Sequence, residues 1–369
     1  DIEAEKVGRK IKRLPVSQNL FDDLKRWREN LFKNYKAFNL GYSAAQIDES
    51  VLRLLNRLIF IRTAEDREVE ENRLQSLIRV LKDKRQLPTL DRALASLFRE
   101  LDGIYNSELF ARHFSEELQI PPTELEEIIS GLYEKNYTRY NFNALEADVL
   151  GTAYEQYLGH IVAEGETETH VEEKRTKRKS QGIYYTPAFV TKYVVQQTVG
   201  KFLDENGYNP SKPPRVLDMA CGSGSFLIEA FDVIDNFVAK QRGQAQKGEV
   251  DFYDRARQLE VLQSCIFGVD KDKQAVEVAR LNLLLRGLHS REKLPMLENI
   301  RHGNSLVSGT REELEPFFGA EWKAKEPFNW EWEFKTVLQN GGFDLIIGNP
   351  PYVNVFNLPP IDVDFYEKH

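Results

Sequence analysis

With 369 residues the chain has room for roughly two or three domains, and no apolar run approaches the ~20 residues that span a membrane. A formal charge of −8 excludes a uniformly basic surface, so any nucleic-acid contact must be local. The two cysteines, Cys221 and Cys265, lack paired spacing and the histidines form no HxxxH pair, which excludes a disulfide framework, argues against a zinc site and suits a reducing cytoplasm.

Residues 1–162 read as helix after helix. Phe21 to Phe38 places Leu24, Trp27 and Leu31 on one stripe, and Val51, Leu54, Leu55, Leu58 and Ile61 repeat the pattern. Leu74, Ile78 and Leu81, then Leu94 to Leu101, predict shorter helices broken at Pro88 and Gly103. Thr123 and Glu126 form a capping-box signature, and Leu145 to His160 predicts one more helix. Nothing in this part carries chemistry, so an all-α helical bundle or connector is expected. Residues 163–181 are charged, acidic first and then basic from Lys174 to Lys179. They read as a solvated linker whose basic half could touch phosphates.

From Gly182 onward the pattern becomes α/β. Apolar strands are expected at 216–218, 266–270, 300–302 and 343–347, alternating with helices, and ligands bind at the carboxyl ends of strands in such sheets. After the first strand, Asp218 precedes a glycine turn with Gly222 and Gly224, which lets backbone approach a ligand at a helix start. A third glycine is missing and the acid would repel a pyrophosphate, so a cationic ligand fits better than a dinucleotide. S-adenosylmethionine carries an ammonium and a sulfonium. Asp270 closes the second strand and can accept both ribose hydroxyls, but it lies well beyond the ~20-residue spacing of the dinucleotide fingerprint, so 240–255 reads as an insertion. Asp272 caps the next helix, which runs to Gly287. Asn304 stands where a polar side chain could read an adenine edge, or serve a turn. Thr186 and Pro187 read as the N-cap and first residue of an apolar helix, a geometry that also suits a carboxylate.

The last strand ends in Gly348-Asn349-Pro350-Pro351-Tyr352. Two prolines stiffen the corner, and the Asn349 oxygen and Pro350 carbonyl can each accept one hydrogen of an exocyclic amine. That draws the nitrogen toward tetrahedral geometry and frees its lone pair. Tyr352 would stack on the base.

Tyr185-Thr186-Pro187, Asp218-x-x-Cys221-Gly222-Ser223-Gly224, Val269-Asp270, Gly303-Asn304-Ser305 and Asn349-Pro350-Pro351-Tyr352, in that order, resemble the motif series of gamma-type N6-adenine DNA methyltransferases of bacterial and archaeal restriction-modification systems. Phe328 to Phe334 and Asn56 to Ile61 are similar to the large Type IIG-like branch. The resemblance implies a Rossmann-like core that uses S-adenosylmethionine over 182–369, with double-stranded DNA as partner and a cytoplasmic location. It implies cofactor contacts from Tyr185, Thr186, Asp218, Cys221, Gly222, Gly224, Asp270, Asn304 and Ser305, and catalysis by Asn349, Pro350, Pro351 and Tyr352. A target-recognition domain and a nuclease domain would belong to a longer polypeptide of which this chain is a truncated piece. Glutamine-N5 methylation of a protein and a non-catalytic cofactor-binding specificity or scaffold subunit are the alternatives; Thr186-Pro187 speaks against the first and intact Asn349 and Tyr352 against the second.

Overall fold

The computed structural model describes residues 16–105, 107–135, 138–143, 186–241 and 252–368. The helix expected over Leu145 to His160, the linker 163–181 and Tyr185 lie outside the described residues.

The first half is a helical unit. Helix α1 (Val16–Phe38) buries Leu20, Leu24, Trp27 and Leu31 at the expected helical spacing. Helix α2 (Ala44–Asp66) starts at a reciprocal capping box between Ser43 and Gln46. Unlike its neighbours it is buried almost all round, with Asp48, Arg53, Asn56, Arg57 and Arg62 among its enclosed residues. Buried guanidiniums require partners, and these have them: Arg57 donates to the Leu109 and Ala111 carbonyls and to Glu116, while Arg62 reaches Glu65 and Asp66 and stacks 3.9 Å from the Tyr133 ring centre. Helices α3 (Arg73–Asp83), α4 (Leu90–Tyr105) and α5 (Pro122–Gly131) complete the unit, followed by a two-stranded hairpin of β1 (Glu134–Lys135) and β2 (Thr138–Arg139).

Two expectations fail locally. Helix α4 runs through Gly103 to Tyr105, since a solvent-facing glycine costs a helix only about 1 kcal/mol and Tyr105 anchors the last turn by burial. Helix α5 has Pro121 at its cap and Pro122 at its first position, so Thr123 falls inside the helix and makes no cap; proline's fixed φ starts the helix a residue early.

His113, behind α2, has a pKa pushed down to about 4, by burial first and then by Arg53. Glu49 pulls the other way, with its carboxylate 3.5 Å from Nε2, and Arg57 adds to the depression. The unfolded chain therefore binds the extra proton between pH 6.5 and about 4, so stability is full above that window and falls as the pH drops through it. We expect His113→Gln to remove about 1–2 kcal/mol of this acid-side loss, after allowance for partial solvation. Urea unfolding at pH 7 and pH 4.5 checks it; an unchanged difference would assign the titration to another group.

The second half is α/β. Helix α6 (Ala188–Val195) passes through a π-helical turn into α7 (Lys201–Asn206). Strand β3 (Val216–Asp218) is followed by α8 (Ser225–Gln241) and α9 (Phe252–Ser264), then by β4 (Ile266–Asp270). Of the stretch 240–255 expected as an insertion, residues 242–251 lie outside the described residues; most of the described spacing between the two strand-end acids is helical, in α8 and α9. Helix α10 (Lys273–Arg286), capped by Asp272 as expected, leads to β5 (Ile300–His302). Next come α11 (Arg311–Phe318), α12 (Trp330–Glu333), α13 (Lys335–Gln339), β6 (Leu345–Ile346) and α14 (Pro360–Lys368).

The sheet is parallel, in the order β5-β4-β3-β6. The sheet begins at β3, gains β4 and β5 on one side, and is completed by β6 on the other. The strand order therefore reverses beside β3, where open α/β sheets bind ligands. Alternate residues serve opposite faces: Val216 and Ile266 join a large core continuous with the helical unit, while Leu217, Phe267 and Val269 pack on Phe328 and Phe334. Strand β6 is shorter than expected and is not buried on both faces. It pairs only with β3 among the described strands, and Ile346 is 61% exposed. An aromatic brace holds it, with Phe343 lying 5.4 Å from both Phe267 and Phe334, centre to centre.

Candidate active site

All four strands end on one side, bringing Asp218, Asp270, His302 and Asn349 to the same edge of the sheet. Gly222 (φ +53°) and Gly224 (φ +90°) adopt left-handed conformations between β3 and α8. Gly224 also lies against α10: a side chain there would meet the Ala279 Cβ at 3.2 Å.

Asp270 fastens this turn. Its Oδ2 accepts the Gly222 amide and its Oδ1 the Asp272 amide, both at 2.8 Å, and each oxygen keeps a lone pair for a further donor. Burial raises its pKa above the usual carboxylate range, against those two backbone donors. Asp218 is 1% exposed, and its Oδ1 accepts the Ala220 amide at 3.0 Å. It lies beneath the turn and directly beside the backbone of Gly348, where a Cβ would sit 2.5 Å from the same oxygen. Glycine is needed there twice over, because φ is +151°. Cys221 turns inward against Gly268, and burial, with Asp270 and Asp218 nearby, drives its thiol pKa well up. Its side chain is core packing, so only its backbone belongs to the turn, where its N–H donates to the Val269 carbonyl.

Thr186 and Asn349, widely separated in sequence, meet: the Asn349 Nδ2 donates to Thr186 Oγ1 at 3.0 Å. The helix cap is therefore not Thr186. The α6 cap position is Pro187, whose carbonyl receives the Val190 and Thr191 amides, and the threonine hydroxyl is used on the asparagine. That bond fixes which pole of the carboxamide is spent and leaves Oδ1 as the acceptor. Pro350, Pro351 and Tyr352 are exposed, Tyr352 by 72%, so the ring is open to a planar partner. Phe189 and Tyr193 of α6 also face solvent, and the helix buries Thr191 and Val195 instead.

Asn304 is occupied locally: its Oδ1 accepts the Leu306 amide at 3.2 Å. The Ser305 carbonyl receives the Trp330 indole N–H at 3.1 Å. Sequence reasoning missed that indole, the contact between Asp218 and Gly348, and a buried pair formed by Arg28 and Asp48 next to the site. The one local signal was Arg28 directly beside the buried stripe of α1. Away from the strand ends, a small open cleft between the helical unit and α10 is lined by Arg53, Glu108, Glu277 and Arg280. These four pair with one another, so the cleft is electrically balanced.

Among the described residues no helix is long and apolar enough to cross a membrane, and no cluster of three or more acidic, histidine or cysteine side chains could hold a metal ion.

Residues 264–369 match the model of the Eco57I restriction-modification methylase family, and residues 209–299 that of the RMKL-like methyltransferase domain. The chain is 27% identical to the type II restriction enzyme and methyltransferase RM.Eco57I of Escherichia coli, over 100% of this chain and 37% of that protein. It is 29% identical to the adenine-specific methyltransferase PglX of Streptomyces coelicolor, over 48% of this chain and 15% of that one. With the EcoEI type I methylase subunit of Escherichia coli the identity is 26%, over 59% and 34% of the two chains. The fold is similar to that of the Type IIL restriction-modification enzyme MmeI, solved in complex with DNA, with a TM-score of 0.56 and 16% identity over 94% of this chain and 45% of that one. The chain thus spans little more than a third of the curated relative that it matches end to end. Its carboxy-terminal part is thus similar to the methylases of restriction-modification systems.

Proposed function

We propose that this chain binds S-adenosylmethionine at the ends of β3 and β4 and methylates the N6 amine of an adenine flipped out of double-stranded DNA, as the modifying part of a restriction-modification protein. The observation that carries the reading is the tethered carboxamide of Asn349, oriented by Thr186 at the head of a proline-stiffened corner. PglX, named as adenine-specific, and MmeI, solved on DNA, support the choice of base and of partner. The residues at the strand ends suit the cofactor: the glycine turn admits a ligand to the backbone, and two carboxylates favour hydroxyls and positive charge over polyphosphate. In this reading Asp270 receives ribose hydroxyls, Gly222 and Gly224 line the cradle, Asp218 supports it from below, and Asn304 and Ser305 form its wall. The helical unit is assigned to 1–162 and the catalytic unit to 182–369, joined by 163–181.

When bound, S-adenosylmethionine would supply a methyl carbon that the amine takes as the carbon–sulfur bond breaks, its electrons staying on sulfur. Asn349 Oδ1 and the Pro350 carbonyl would accept the two amine hydrogens and turn the lone pair out of the ring plane. Tyr352 would stack on the extruded base, which a duplex otherwise shields. The methylated nitrogen then sheds one proton along these acceptors to solvent, which the exposure of Pro350 allows. No strong base is needed.

Calorimetric titration with S-adenosylmethionine, with NAD as control, tests the cofactor; methyl incorporation into duplex DNA with and without adenine tests the base. Selective binding and adenine-dependent incorporation are expected. Failure of the folded protein to bind S-adenosylmethionine would overturn the reading.

Thr186→Val keeps size and removes the acceptor for Asn349. Transfer should fall about tenfold, the loss of one positioning hydrogen bond, with Thr186→Ser restoring most of it. Single-turnover rates beside cofactor affinities make the check: a loss confined to affinity would return Thr186 to the cofactor's carboxylate.

A further inference from the structure

The helical unit, which carries no chemistry of its own, is joined to the proposed cofactor site by a series of hydrogen bonds that passes through the residues Gln274 and Asp272. Inside it, the fully buried Arg28 of α1 grips Asp48 of α2, with Nε 3.0 Å from Oδ1 and Nη2 2.7 Å from Oδ2. A carboxylate held at both oxygens by a guanidinium has one orientation. Asp48 Oδ2 also accepts Gln274 Nε2, at 2.8 Å, across the boundary between the two halves. Gln274 lies in the first turn of α10, and its own amide goes to Asp272 Oδ1 at 2.8 Å. The Asp272 amide goes to Asp270 Oδ1, and Asp270 Oδ2 receives Gly222 of the glycine turn. Beside this series, Lys273 Nζ reaches Glu49 Oε1 at 2.9 Å, an exposed pair worth little by itself.

The consequence is geometric. The loop Asp270-Lys271-Asp272 has only polar side chains and no apolar anchor; His302 and Gly303 hold its Lys271 and Asp270 carbonyls, and the rest of its shape follows from what holds the start of α10. From the catalytic half alone, Gln274 would swing freely in water. Docked on Asp48 it is pinned to the interior of the other unit, and with it the cap and the strand-end acid.

We propose that Asp48, clamped by Arg28, is a positioning residue for cofactor binding: through Gln274 the helical unit sets the first turn of α10, and thereby the geometry of Asp270 and the glycine turn. This rests on the reading of the strand ends as an S-adenosylmethionine site. Coupling of this kind is reciprocal, so binding of the cofactor must in turn steady α2.

The test is made at Gln274, because substitution of Asp48 would strand a buried arginine and confound folding with function. Gln274→Ala, and Gln274→Met as a variant of similar length, are compared with the wild-type protein by calorimetric titration with S-adenosylmethionine. Amide exchange over 44–66 is followed with and without that cofactor. Both variants should bind about five- to tenfold more weakly. Cofactor-induced protection of 44–66, present in the wild type, should be lost. A merely structural role would shift melting temperature but leave the cofactor-dependent change in exchange intact. Wild-type binding with equal affinity and equal protection in the variants overturns the positioning role alone. Absence of binding by the folded wild type overturns the cofactor reading and this proposal with it.

Discussion

Replacing Asn349 by alanine should lower methyl transfer to duplex DNA by at least about two to three orders of magnitude while leaving affinity for S-adenosylmethionine within about twofold. The asymmetry follows from where the residue sits. Asn349 closes the corner after β6 and bonds through its nitrogen to Thr186. The groups that shape the glycine turn belong to β3, β4 and their loops, with Asp270 holding Gly222 and Asp218 holding Ala220. Removing the carboxamide takes away a preorganised acceptor for the target amine and leaves those bonds in place. An aromatic amine without that acceptor keeps its lone pair in the ring, so the loss belongs to the chemical step and not to binding. Asn349→Asp sharpens the test: an aspartate of the same shape can accept the Thr186 hydroxyl and still offer an oxygen to the amine, and it should retain measurable transfer. Single-turnover methylation beside calorimetry separates the outcomes. A large loss of cofactor affinity in Asn349→Ala would remove the division of labour between the corner and the glycine turn.

Much of this architecture could be read in the chain because its signals are local. The strands at 216–218, 266–270 and 300–302 are short apolar or mixed runs, two of them stopped by an acid at the point where the backbone turns, and Asp272 caps α10 as its position suggests. The misreadings have physical causes of two kinds. Propensity alone breaks a helix at Gly103 and caps one at Thr123, and neighbouring burial at Tyr105 and the paired prolines at 121 and 122 outweigh it. The apolar run of β6 reads as a strand buried on both faces, yet β6 is an edge strand among the described strands and Ile346 is exposed. The other kind is distance. Thr186 looks like a cap in its own segment, and only the fold brings it to Asn349, 163 positions away. Asp48 and Gln274, 226 positions apart, look like ordinary surface residues of two helices. No local pattern encodes such pairs, and they are the ones that tie the site together.

Gly348→Ala should damage both functions that Asn349→Ala separates. The residue has φ +151°, and the added methyl would sit 2.5 Å from Asp218 Oδ1 and 3.0 Å from its Cγ. Asp218 cannot simply withdraw, since β3 is paired on both sides and the same oxygen holds the Ala220 amide. Either the end of β6 moves out and carries Asn349 away from Thr186, or Asp218 rotates and releases the glycine turn. Backbone strain and the overpacked contact together should cost about 2–4 kcal/mol. Melting temperature, cofactor affinity and transfer rate should all fall. Because the damage arises from one contact, a double-mutant cycle identifies it: in an Asp218→Ala background the clash has no partner, and Gly348→Ala should cost clearly less stability than in the wild type. Additive losses in urea unfolding would show that strain at φ alone, and not the approach of the proline corner to the strand-end acid, is what requires glycine there.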